Sequence, residues 1–115
     1  MYTIGEISKI VNISANALRY YDEIGLLKPS LTKSDNQYRY YSASQIKDIT
    51  FIIELKQYGF TLYEIKELMR NRNNHKLKYM LEEKRTKLHK EMKRLKENTI
   101  LLEKRIFEII KEDDL

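Results

Sequence analysis

Cysteine is absent from this 115-residue chain, proline occurs once and glycine three times. The missing cysteine excludes disulfides, thiolate metal sites and cysteine nucleophiles together, and it suits a reducing cytoplasm. So few glycines and prolines, beside 42% hydrophobic residues, exclude a fibrous or disordered chain. No apolar run approaches the ~18–20 residues that a membrane-crossing helix needs. The opening "MYTIGEISKI" has no basic segment followed by an apolar stretch and does not read as a signal peptide. The expectation is a soluble, cytoplasmic protein without membrane partners.

Charged residues make up 34% of the chain, and the net charge is +5. Residues 1–73 carry net +2 and the remainder net +3, so neither part is a polybasic tail. An anionic partner is permitted, but its binding must come from where charges sit.

Capping chemistry marks the helix starts. Thr3 and Glu6 in "TIGE" have capping-box spacing, and Ile4, Ile7, Ile10 and Val11 follow as an apolar stripe, predicting a helix over 4–11. Ser14 caps a second helix over about 15–22, with Ala17, Leu18 and Tyr21 on one face. Two short helices so closely joined form a helix-turn-helix pattern. From Gly25 to Tyr41 the turn-prone "TKSDN" separates two short segments, predicting a β-hairpin wing with strands near 26–28 and 38–41.

"SASQ" predicts a further capping box at Ser42 and Gln45, opening a helix that ends at Gly59 with Ile46, Ile49, Ile53 and one of Phe51 or Ile52 inward. "TLYE" repeats the device at Thr61 and Glu64 and starts a helix to about Arg70 that buries Leu62, Ile65, Leu68 and Met69. "NRNN" reads as a linker. Beyond it Leu81, Leu88, Leu95, Leu102 and Ile109 recur every seven residues, with Arg85, Met92, Thr99 and Ile106 on the intervening seam. This is a coiled-coil heptad pattern, whose narrow apolar seam needs a second helix, most simply that of another copy. The dimerisation candidates are Leu81, Leu88, Met92, Leu95, Leu102, Ile106 and Ile109. The expected fold is mainly α: a winged helix-turn-helix of four helices and a small hairpin over 1–70, a linker at 71–75, and a coiled-coil helix over 76–115.

Arg-Tyr-Tyr occurs twice, at 19–21 and 39–41. At 100° per residue, Asn16 and Arg19 point away from Ala17, Leu18 and Tyr21, with Ala15 and Tyr20 flanking them. Tyr21 is then expected in the core and Tyr20 beside Arg19 at the surface. Small Ser14 and Ala15 would let the helix start approach a duplex closely, and its amides favour phosphate. Arg or Asn then reaches base edges and Tyr reaches phosphate. An aromatic core carrying a solvated arginine explains the same helix equally well. In the wing, alternation separates Tyr38 and Tyr40 from Arg39 and Tyr41, and Arg39 is expected to face outward toward a groove backbone. His75 and His89, fourteen residues apart without carboxylate or thiolate companions, read as solvated surface residues, so no metal or cofactor is expected.

"TIGEISKIVNISANALRYYDEIGLLKPS" followed by "YRYYSASQIKDITFIIELKQYGFTLYEIKELM" resembles the N-terminal DNA-binding domain of MerR-family transcription regulators, and especially the multidrug-sensing branch. The resemblance runs over residues 2 to about 70. It implies a homodimer joined by an antiparallel coiled coil, presenting two winged helix-turn-helix units to a palindromic promoter element. Promoter bending and untwisting, so that RNA polymerase engages both elements, would follow. The matching positions imply DNA contacts at Arg19, Tyr20 and, less directly, Tyr21 on the recognition helix, at Tyr38 and Arg39 on the wing, and at Lys56 near the dyad. Multidrug-sensing members continue into a drug-binding domain and metal sensors carry cysteines around the end of the long helix. "KEDDL" offers neither, so the expectation is either part of a longer regulator, which without its sensor would bind DNA with no inducer, or a small regulator that answers another signal.

Two other readings remain at this point, a DNA-bending protein of the excisionase kind and a coiled-coil adaptor. Nothing supports an enzyme, since paired catalytic carboxylates, a nucleotide loop and a histidine constellation are all missing.

Overall fold

The computed structural model describes residues 1–35 and 37–113. The chain divides into two units, Met1–Arg72 and Asn73–Leu115. The expected architecture, mainly helical with a small hairpin and a long final helix, is the observed one.

In the first unit, β1 (Tyr2–Thr3) leads into α1 (Ile4–Val11). The capping box forms: Thr3 Oγ1 accepts from the Glu6 amide at 3.2 Å, and Glu6 accepts from the Thr3 amide at 3.0 Å. The carboxyl of Glu6 is held below its ordinary range, first by the Thr3 amide and then by the Thr3 hydroxyl. Asn12 ends α1 in the left-handed region at φ 57°, which asparagine tolerates better than most residues. Ile4 and Ile7 are buried as expected, but Ile10 is 51% exposed, because the helix turns that position out just before it stops.

The second helix, α2 (Ala15–Glu23), closes through the amides of Leu26 and Leu27, which both donate to the Tyr21 carbonyl across Gly25 at φ 75°. Here the reading of residues 26–28 as a strand is corrected. Leu26 and Leu27 are both buried, and a strand cannot turn two consecutive side chains inward. They plug the core from the turn after α2. The wing strands are instead β2 (Leu31–Thr32) and β3 (Arg39–Tyr41). The sheet order is β1-β3-β2, antiparallel throughout, pairing Tyr2 with Tyr41 and Leu31 with Tyr40.

In α3 (Ser44–Gln57) the expected capping box at Ser42 is only half made. Gln45 Oε1 accepts from the Ser42 amide at 3.0 Å, yet Ala43 is the N-cap and no side chain caps it. Gln45 also reaches across the chain, donating to the Lys28 carbonyl at 2.6 Å and accepting from Ser30 Oγ at 2.7 Å. Its amide therefore fastens the segment after α2 onto the start of α3. The buried face of α3 is Ile49, Ile52 and Leu55, with Ile46 and Ile53 half-buried. The helix is apolar on more than one side, so its pattern alone did not select a face.

Gly59, at φ 92°, turns the chain into α4 (Leu62–Arg70), whose Thr61–Glu64 capping box is complete. Ile65 and Leu68 are buried, while Leu62 and Met69 are half-buried. Arg72 pairs with Asp48 at 2.6 Å and fastens the end of this unit to α3. Ile7, Leu18, Tyr41, Ile49, Ile52, Leu55 and Ile65 are its most completely buried side chains. Each contributes roughly 1.5–3 kcal/mol through the apolar surface it removes from water.

The second unit is one helix, α5 (Asn74–Asp113), of 40 residues. It starts earlier than the expected 76, because the Asn73 side chain accepts from the His75 and Lys76 amides and nucleates the first turn. At 1.5 Å per residue it is about 60 Å long. Pairs one turn apart, such as Lys78–Glu82 and Arg105–Glu108, line its polar sides. Leu88, Met92, Leu95, Leu102, Ile106 and Ile109 are all at least half exposed. No helix among the described residues is long and apolar enough to cross a membrane.

Candidate nucleic-acid interface

Ser14 is the N-cap of α2, with Oγ accepting from the Ala17 amide at 3.0 Å. Because that cap fixes the first turn, the directions of the following side chains are fixed too. Leu18 and Tyr21 are buried, at 0% and 4% exposure, while Asn16 and Arg19 are exposed and Tyr20 is 49% exposed. The two adjacent tyrosines thus separate as helical geometry requires, Tyr21 in the core and Tyr20 in solvent. Arg19 Nη1 donates to Asn16 Oδ1 at 2.9 Å, so these two candidates form one pre-ordered polar group. Ala15 is half-buried at the helix start, with no bulky side chain to hold a surface away.

The wing departs from expectation at Arg39. Tyr41 is completely buried, and the two-residue strand repeat puts Arg39 on that same inward side. Arg39 Nε donates to Asp22 Oδ2 at 2.8 Å, and its side chain is only 25% exposed. It does not face outward. The outward side carries Tyr38, 58% exposed, and Tyr40, over whose ring the Lys33 ammonium sits 5.4 Å from the centroid. Lys33 also closes the wing turn, its amide donating to the Tyr38 carbonyl and its carbonyl accepting from the Gln37 amide.

Asp22 also accepts an ion pair from Lys28 at 3.3 Å. Burial pushes its carboxyl up, but the hydrogen bonds from Arg39 and Lys28 outweigh this and hold it below its ordinary value. Burial, and then the nearby Asp22 charge, push the Tyr41 phenol above its ordinary value. Lys56 is exposed in the last turn of α3, on a different element from the other candidates. Among the described residues, no group of three or more His, Asp or Glu side chains is placed to hold a metal ion.

Three residues of this surface escaped the sequence reading. Asp22 and Arg39 lie seventeen positions apart, a separation without local periodicity. Lys33 stood in a stretch recognisable only as turn-forming. Lys28, its side chain 69% exposed, was hidden inside a segment read as strand.

The geometry is that of a short capped helix with an exposed Asn-Arg-Tyr edge beside a small three-stranded wing. Residues 2–72 match the family model described as MerR HTH family regulatory protein, and residues 46–104 match that described as MerR, DNA binding. The multidrug-efflux transporter 2 regulator of Bacillus subtilis (strain 168) is 35% identical over 105 residues, which is 91% of this chain and 38% of that protein. Among solved structures, the N-terminal part of MtaN, the B. subtilis multidrug transporter activator, superposes with a TM-score of 0.82 at 29% identity, over 92% of this chain and 98% of that one. EcmrR, from a cryo-EM structure of an EcmrR–DNA complex in EcmrR-RPo, gives a TM-score of 0.71 at 34% identity, over 81% of this chain and 34% of that one. The chain thus spans well under half the length of that curated relative and of EcmrR. By its helix-turn-helix, its wing and these matches, it belongs to the MerR family of helix-turn-helix regulatory proteins.

Proposed function

We propose that this chain is a sequence-specific, DNA-binding transcription regulator that works as a homodimer on promoter DNA in the cytoplasm. The observation that carries the reading is the exposed Asn16–Arg19–Tyr20 edge of α2, pre-ordered by its own hydrogen bond and presented by a buried Leu18–Tyr21 face. Such an edge suits the major groove. There an arginine donates to guanine O6 and N7, an asparagine pairs with adenine, and a tyrosine hydroxyl reaches a phosphate. Ser14 and Ala15 bring the helix start close to the backbone, Tyr21 supports it from the core, and Lys56 supplies a further phosphate contact. On the wing, Tyr38 faces the adjacent backbone and Arg39 supports the strand from within.

The heptad stripe of α5 supports dimerisation, because a row of leucine and isoleucine at this exposure is stable only against a second apolar helix. The antiparallel arrangement, promoter bending and engagement with RNA polymerase are supported by the resemblance to the family and belong to the same proposal. DNA distortion costs several kcal/mol, and backbone contacts on both sides of the dyad offset it.

The test is binding to the promoter region upstream of the protein's own gene, measured across a salt series. Affinity should fall steeply and linearly in log–log form as phosphate-bound counterions are released. Failure to bind any palindromic promoter duplex at low salt would sink the reading.

A further inference from the structure

Asp22 stands where both local and functional electrostatics disfavour it. It lies in the last turn of α2, where the helix dipole repels an acid and no basic residue accompanies it. It is also a carboxylate beside a surface read as binding phosphates. What it gains lies far along the chain: Arg39 at 2.8 Å from β3, and Lys28 at 3.3 Å from beyond the turn. The Asp22 and Arg39 side chains are 17% and 25% exposed, and no other ion pair among the described residues has both partners so covered. Beneath Arg39, on the same side of the strand, Tyr41 is wholly buried.

We propose that Asp22 is a positioning residue that joins the wing to the recognition helix through Arg39, holding the Asn16–Arg19–Tyr20 edge and the outward Tyr38 at one fixed relation. Arg39 then contributes to recognition by staying where it is. This rests on the reading of that face as a DNA-binding surface. The rival role is a parking place, from which Arg39 departs to grip a phosphate when DNA arrives.

The two roles differ in sign. Replacing Asp22 by asparagine removes a negative charge and loosens Arg39. A parked arginine would then bind every duplex more tightly. A positioning pair would instead lose its hold on the geometry, so promoter affinity falls while bulk attraction to DNA remains.

The experiment measures fluorescence anisotropy of the promoter duplex and a scrambled duplex of equal length, with wild type, Asp22→Asn and Arg39→Lys, across a salt series. Asp22→Asn should lower promoter affinity about tenfold, the scale of one lost base-pair contact, with scrambled-duplex affinity unchanged or raised. The salt slope should stay within about one unit of wild type, because no phosphate contact is removed. Higher promoter affinity, unchanged discrimination, or an equal loss on both duplexes overturns the inference. If circular dichroism shows Asp22→Asn unfolded, Arg39→Lys decides. That variant keeps the charge but not the planar guanidinium; reduced discrimination supports positioning, and full discrimination refutes it. Wild type failing to bind the promoter would sink the functional reading itself, whereas wild-type binding with an indifferent Asp22→Asn sinks only this inference.

Discussion

Asn16 and Arg19 are bonded to each other within the free chain, Arg19 Nη1 donating to Asn16 Oδ1 at 2.9 Å on adjacent turns of α2. An arginine so held loses less conformational freedom on meeting a base than a free one would. Arg19→Ala should therefore cost about 1–3 kcal/mol of promoter affinity, the range of a bidentate base contact, and should flatten the preference over scrambled DNA. Asn16→Ala should show a smaller loss through the same pair. Competition binding with the two duplexes reads both. Lys56→Ala should instead reduce promoter bending in a fluorescence-transfer assay with little change in preference.

The capping boxes make a stability prediction independent of DNA. Thr61→Ala removes the hydroxyl that accepts from the Glu64 amide, and Thr3→Ala does the same at α1. Each should cost about 1 kcal/mol and lower the thermal midpoint by several degrees. Ser42→Ala should cost less, since the Ser42 hydroxyl bonds Ser44 Oγ and does not cap α3.

The apolar stripe of α5 predicts the assembly state. Leu95→Lys with Leu102→Lys places two charges on the heptad stripe, at positions 51% and 64% exposed in the single chain. Sedimentation should show a dimer for wild type and a monomer for the double variant at the same micromolar concentration. The circular dichroism of the first unit should survive, because its core is its own.

Asp22 should leave a signature in the acid limb of stability. Its carboxyl is held below the ordinary value in the folded chain, so its contribution is fully present above the unfolded value of about 3.9 and is lost as pH falls through the lower folded value. Wild type should exceed Asp22→Asn in stability by about 1–3 kcal/mol at neutral pH, the scale of leaving a partly covered charge unpaired. That margin should shrink as the pH drops below about 3.9. Urea melts at a series of pH values measure it, and a margin that grows in acid would contradict the pairing.

Tyr41 predicts a gain. Its Oη is buried without a hydrogen-bond partner among the described residues, so removing it relieves an unmet polar group and leaves the ring packing intact. Tyr41→Phe should be neutral or stabilising by up to about 1 kcal/mol, seen as an unchanged or raised thermal midpoint.

How much of this could be read from the sequence depended on whether the deciding interaction was local. The Thr3–Glu6 and Thr61–Glu64 boxes lie within four residues, and both helices start where those residues put them. The orientation of α2 was legible for the same reason, one helical period separating Tyr20 from Tyr21. What failed was set by distant partners. Gln45 has capping-box spacing from Ser42, yet much of its hydrogen bonding goes to Lys28 and Ser30. Arg39 looked like an exposed strand residue because nothing near it in sequence announces Asp22. Leu26 and Leu27 looked like strand because adjacent leucines carry no period, and only the core decided that both turn inward. β1 is two residues long, too short for any pattern.

The three-stranded wing sheet has β3 at its centre, so its two open edges belong to β1 and β2, each only two residues long. Edges this short present too few unpaired backbone groups to template the strand of another molecule. Crowding the protein to millimolar concentration should therefore not drive it toward fibrils through its wings.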